Sequence, residues 1–165
     1  MINKVNKKGV YSLFFVDPWD TEFSWNSMSN LLGIRTDILF NFMSNQIRRT
    51  VGLFHKKGLG EKQLTEFFGN DSWKQWKSGD GDEKLIKIYI DNIMKVRSDA
   101  VIKQIKIHSE EHGFCYFLLF ITNKTSGDNP WLKGIDKAKE EIESNSDISV
   151  KMALDIIKKR QATLF

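Results

Sequence analysis

Apolar residues run almost unbroken from Leu13 to Val16 in the stretch GVYSLFFVD, and their β-branched and aromatic character predicts a strand over Val10 to Asp17. Such a run suits a central strand covered on both faces. Trp25, Met28, Leu31 and Leu32 then recur at helical spacing between a capping Ser24 and Gly33, which predicts a short helix over 24–32. A second apolar run, TDILFNFM from Thr36 to Met43, predicts a second strand. Behind it Ile47, Val51 and Phe54 mark one face of a second helix. Strand, helix, strand, helix with connections of this length implies two parallel strands whose C-terminal ends share one edge of a sheet.

The texture changes near residue 55. The segment 55–81 is rich in Gly, Lys and Asp yet carries Leu64, Phe67, Phe68, Trp73 and Trp76, and so reads as an insertion of short helices. Gly58 to Gly60 follows a helix and a lysine pair rather than a strand, and reads as a loop. From Asp82, the positions Leu85, Ile88, Tyr89, Ile93 and Val96 predict an amphipathic helix with Asp82 and Glu83 in its first turn. AVIKQIKIHS and GFCYFLLFITN, with EEHG between them, predict an antiparallel hairpin. Two helices are expected to close the chain, the first opening at Pro130 and the second capped by Ser146 or Asp147. The expectation is one α/β domain over 1–165 with a mixed sheet of about four strands.

Composition narrows the class. The 165 residues are 41% hydrophobic and 28% charged, as in a globular domain. No apolar run reaches the roughly 18 residues of a membrane span, and the opening MINKVNKKG lacks the apolar core of a signal peptide, so a cytoplasmic protein is expected. The single Cys115 reads as a small buried hydrophobe, and with His55, His108 and His112 it makes no spaced metal site. A formal charge of +4 permits nucleic-acid contact without demanding it.

Candidate chemistry begins where the first strand ends. Asp17 can orient an amine or hydroxyl and Pro18 stiffens the turn, the plainer alternative being a strand exit with a solvated acid; Trp19 can stack on a flat base or adenine, although packing over the sheet edge is the commoner role of a lone tryptophan. Asn41 interrupts the second strand and Asn45 stands at the start of the next helix, where a cap explains it equally well. Arg48 and Arg49, with Lys56 and Lys57 about two turns on, can meet phosphates or form a solvated face. His55 beside them can serve as an acid or base, although a lone histidine is more often structural. Trp73 and Trp76, interleaved with Lys74 and Lys77, can stack on unpaired bases, but at i and i+3 they also share a helix face as core anchors do, and core packing is favoured.

FFVDPWDTEFSWNSMSNLL, RTDILFNFMSNQIRR and FCYFLLFITN together resemble the C-terminal part of the three-Cys-motif partner family, whose members are class I S-adenosylmethionine-dependent methyltransferase-like proteins. The resemblance implies a truncated Rossmann-like sheet, two parallel βα units followed by an antiparallel C-terminal hairpin, with Asp17, Pro18 and Trp19 at the methyl-acceptor side. It implies a partner, either a three-Cys-motif protein or an upstream methyltransferase half. The glycine-rich turn that would hold the cofactor is missing, and only nine residues precede Val10. S-adenosylmethionine is therefore expected only with a complementing chain. A catalytically inactive nucleic-acid-binding or protein-binding domain is the alternative. Either way, the edge left without strands one to three should pair with a partner, dimerise, or be covered by the chain's own helices.

Overall fold

The computed structural model describes residues 12–109, 114–124 and 130–162. Four strands form one mixed sheet: β1 (Leu13–Val16), β2 (Asp37–Phe42), β3 (Ala100–Ser109) and β4 (Phe114–Asn123). Their spatial order is β1-β2-β4-β3. β1 and β2 run parallel, with Val16 opposite Phe40, while β4 is antiparallel to both β2 and β3. The expected parallel pair and hairpin are therefore present. Val10, Tyr11 and the EEHG turn lie outside the described residues.

Helix α1 (Trp25–Leu32) connects the parallel strands, and the Ser24 hydroxyl accepts from the Ser27 amide as its N-cap. Helix α2 (Ser44–Lys57) follows β2 and stops at Gly58, whose φ of 68° suits a residue without Cβ. Then come α3 (Glu61–Phe68), a 3-10 turn over Asp71–Gln75, and α4 (Asp82–Val96). Asp82 and Glu83 do occupy the first turn of α4.

Alternation along the strands decides which sheet face is covered. Ile38, Phe40 and Phe42 of β2 and Phe117, Leu119 and Ile121 of β4 point to one face, where they pack with Met28, Ile47, Leu64, Phe67 and Tyr89 from α1 to α4. Aromatic rings dominate this layer. Tyr89 stacks on Phe40 at 5.4 Å and on Phe67 at 5.0 Å between centroids.

Two expectations are corrected. β1 is an edge strand rather than a central one, because β4 inserts beside β2 and leaves the other side of β1 without a partner among the described residues. Its outward residues Leu13 and Phe15 are accordingly 55% and 63% exposed. The two closing helices are a single helix, α5 (Pro130–Ala162). No glycine or proline interrupts the chain between Asp136 and Ile148, and the Ser146 hydroxyl bonds back to the Glu143 carbonyl instead of starting a new helix. α5 runs along β3. Lys103 pairs with Asp136 at 2.7 Å, the Lys106 amide donates to Glu143 at 2.9 Å, and Ser146 meets His108 at 3.3 Å. The bond to the Lys106 amide occupies a backbone donor of this edge strand, so one edge of the sheet is guarded by a helix and the other has no partner among the described residues.

Candidate functional site

The parallel register brings the ends of β1 and β2 together. Asn41 lies within β2, opposite Leu118, and does not interrupt the strand. Its Nδ2 donates to Asp17 Oδ1 at 2.7 Å and reaches Met43 Sδ at 3.4 Å. Asn41 Oδ1 is buried and has no hydrogen-bond partner among the described residues. Pro18 fixes φ directly after the acid, and Trp19 beyond it is 77% exposed. Asp17, Asn41 and Trp19 therefore share the carboxyl edge of the parallel pair, the edge at which open α/β sheets bind ligands.

Tyr116 of β4 adds a phenol near this edge. Burial, and then the negative charge of Asp17, hold its pKa above the ordinary tyrosine value. Sequence reasoning missed Tyr116. Alternation in FCYFLLF separates Tyr116 from its neighbours Cys115 and Phe117, but only the pairing of β4 with β2 shows which strand end it approaches.

The turn after Trp19 is costly to form. Asp20 has φ 58°, in the left-handed region, and its Oδ1 and the Thr21 hydroxyl are buried without partners among the described residues. Burial raises the Asp20 pKa, Glu22 adds to the rise, and Arg49 opposes it. A carboxyl with a raised folded pKa supports the fold below its unfolded pKa. That support is lost as pH climbs through the folded value. Asp20→Asn removes the ionisation, so the variant should gain on the native protein between about pH 4 and pH 7. Solvent screening keeps the gain under about 1 kcal/mol, measurable as a difference in urea midpoints at the two pH values.

Helix α2 starts at the same edge. Asn45 is not its cap: Met43 holds that position without a side-chain bond, while Asn45 Oδ1 accepts from Arg48 Nη2 at 3.2 Å. Arg48 Nη1 also pairs with Asp82 at 3.2 Å, and Asp82 accepts from Ser44 Oγ at 2.9 Å. Arg49, Lys56 and Lys57 are exposed, and a shallow groove of about 380 Å³ lies between Arg48, Arg49, Gly52, Leu53 and Lys56.

Trp73 and Trp76 do not join this surface. They are 0% and 4% exposed, and their indole N–H groups donate to Thr65 Oγ1 and to the Gly81 carbonyl. Both belong to the buried core, Trp73 in the 3-10 turn edge-on to Phe54 and Trp76 at its C-terminal end beside His55, as favoured from their spacing, and a base-stacking role for them is corrected. His55 Nε2 lies 2.9 Å from the Trp76 carbonyl, a tie between α2 and this turn.

A larger cleft of about 800 Å³ opens at the opposite end of the sheet, among Arg35, Asp99, Lys124 and Trp131. No cluster of three or more metal-ligating side chains occurs among the described residues, and no described helix is long and apolar enough to cross a membrane. Gly58 and Gly60 join two helices, and a Cβ on Gly60 would press on the Thr50 methyl at 3.1 Å, so intramolecular packing accounts for that glycine. Comparison with family models, curated proteins and solved structures finds no match to this chain.

Proposed function

We propose that this domain is the acceptor side of a methyltransferase-like protein that works with a partner chain on an amine-bearing substrate, either nucleic acid or a group held by the partner. The bond between Asp17 and Asn41 at the tips of two parallel strands carries this reading. Asn41 holds one carboxylate oxygen in place, and the other is free to accept a hydrogen bond from a substrate amine. The indole of Trp19 offers a flat, exposed surface beside that acid, suited to a heteroaromatic ring. Cofactor binding is assigned to the partner, a reading supported by the place of Gly58 and Gly60 between two helices rather than after a strand. The edge of β1, which has no partner among the described residues, is the place where a strand of that partner can pair.

Calorimetry with S-adenosylmethionine tests the proposal on the chain alone and with the product of the adjacent upstream reading frame. No binding alone and clear binding in the mixture is the expected result. Absence of binding in both would overturn the methyltransferase reading. In the active mixture, Asp17→Ala should lower methyl transfer by about 100-fold while leaving cofactor affinity unchanged. Unaltered transfer would make Asp17 structural. A binding domain without catalysis is the second reading, favoured by the cations that α2 leaves unpaired.

A further inference from the structure

The lysines of this surface are mostly paired. Lys62, Lys74, Lys84, Lys87, Lys103 and Lys106 each lie within salt-bridge distance of an acid. Helix α2 departs from that pattern. Its sequence SNQIRRTVGLFHKK holds four cations and no acid. Arg48 is held by Asn45 and Asp82, whereas Arg49, Lys56 and Lys57 make no hydrogen bond or ion pair with the described residues. The charge of Arg49 does act on the carboxyl of Asp20.

The placement of these cations is regular. Arg49 and Lys56 are seven residues apart, which puts them on one helix face about 10 Å apart along the axis. Between them, a Cβ on Gly52 would meet nothing within 4 Å, so the floor of the groove is open. Arg49, at one end of this face, is close enough to Asp20 to act on its charge, and Trp19 directly precedes Asp20 in the turn. Cations left unpaired at this spacing suit a chain of phosphates better than a single anion, and an exposed indole next to Asp20 suits an unstacked base.

We infer that the α2 groove binds the phosphate backbone of a single-stranded nucleic acid, and that Trp19 stacks on one base beside Asp17 and Asn41. The phosphate track stands on the α2 geometry alone. Placement of the base rests on the proposed acceptor role of Asp17. This narrows the substrate class from any amine-bearing group to a nucleobase in a single strand.

Fluorescence anisotropy of a labelled 12-nucleotide single strand with the full chain, without cofactor or partner, tests the inference between 50 and 200 mM salt. Three phosphate contacts would give a slope of log affinity on log salt of about −2. Arg49→Glu with Lys56→Glu should weaken binding at least tenfold and flatten the slope. Arg49→Ala with Lys56→Ala should lie between the two. The alanine pair should change the thermal midpoint little, since these side chains are exposed and make no hydrogen bond or ion pair with the described residues, and it is the control for the glutamate pair, which adds negative charge beside Asp20. Trp19→Ala should weaken binding about tenfold and leave the slope unchanged. The inference is overturned if the native chain binds no strand at 50 mM salt, if both paired variants bind as the native chain does, or if polyglutamate of equal charge competes as well as the oligonucleotide. Calorimetry with S-adenosylmethionine reads the acceptor role separately: strand binding without any cofactor binding keeps the track and removes the base placement, and the reverse pattern keeps the acceptor role and removes the track.

Discussion

Arg97→Met should destabilise the protein by about 4 kcal/mol, read as a fall in urea midpoint with little change in slope. Arg97 is only 5% exposed and sits directly after α4. Its guanidinium donates to four backbone carbonyls: Nη2 to Leu31 at 3.0 Å and Ile34 at 2.8 Å, Nε to Leu32 at 3.0 Å, and Nη1 to Thr36 at 3.1 Å. Leu31 and Leu32 end α1, where helix carbonyls lack intrahelical partners and a cation is favoured by the helix dipole. Ile34 and Thr36 lead into β2. One side chain therefore binds two carbonyls at the end of α1 and two in the connection to β2, and ties them to the end of α4. Methionine fills much of the volume but leaves four acceptors without their charged donor, and each such loss costs roughly 1–3 kcal/mol, partly relieved by water entering the adjacent cleft. Arg97→Lys should recover less than half of the loss, because an ammonium cannot span four carbonyls in a planar fork. Recovery to native stability by lysine would show that charge alone matters.

The Arg97 network was not legible in the sequence. VRSDA reads as a polar loop between a helix and a strand, and nothing local distinguishes its arginine from Arg35 or Arg49. Its role depends on contacts more than sixty residues away, such as that between Arg97 and Leu31. Local features were far more readable. The Ser24 cap, the acids opening α4, the parallel pair and the hairpin follow from periodicity and caps acting over a few residues. Strand order did not follow. An apolar run such as LFFV looks alike at the centre of a sheet and at an edge whose outer face is left bare, and only the insertion of β4 beside β2 separates the two.

The candidate site divides along the same line. Asp17 was visible as an acid at a strand end and Asn41 as a polar residue within an apolar run, and parallel pairing with a fixed register is what turns them into a bonded pair. Tyr116 and the strained Asp20 became apparent only in three dimensions. The tryptophans divided in the opposite sense. Trp73 and Trp76 had the spacing of anchors and are buried, while Trp19, held outward by Pro18, remains available at the surface. A rigid turn that exposes an indole beside a positioned carboxylate runs against the general rule that aromatics are buried, and such exceptions concentrate at binding sites.

Tyr89 sets the second large effect, and two substitutions there should move stability in opposite directions. Its ring is fully buried and lies within 5.8 Å, centroid to centroid, of Trp25, Phe40, Phe42, Phe67 and Phe68. These rings come from α1, β2, α3 and α4, so Tyr89 is the contact common to the sheet and three helices. Tyr89→Ala would open a cavity in a layer of rigid rings that cannot collapse easily, and should cost about 4 kcal/mol. The hydroxyl acts against the fold: it is buried with no hydrogen-bond partner among the described residues, and burial drives its pKa far above the ordinary tyrosine value. Desolvating a hydroxyl without a compensating bond costs on the order of 1–3 kcal/mol. Tyr89→Phe keeps every ring contact and removes that cost, so it should raise the urea midpoint by an amount equivalent to about 1 kcal/mol. A loss of stability in Tyr89→Phe would mean that the hydroxyl is satisfied in solution, and the cavity cost of Tyr89→Ala would then include a lost hydrogen bond. Because Phe40 and Phe42, which Tyr89 contacts, flank Asn41 in β2, Tyr89→Ala should loosen the Asp17 to Asn41 pair as well, whereas Tyr89→Phe should leave strand binding and methyl transfer unchanged.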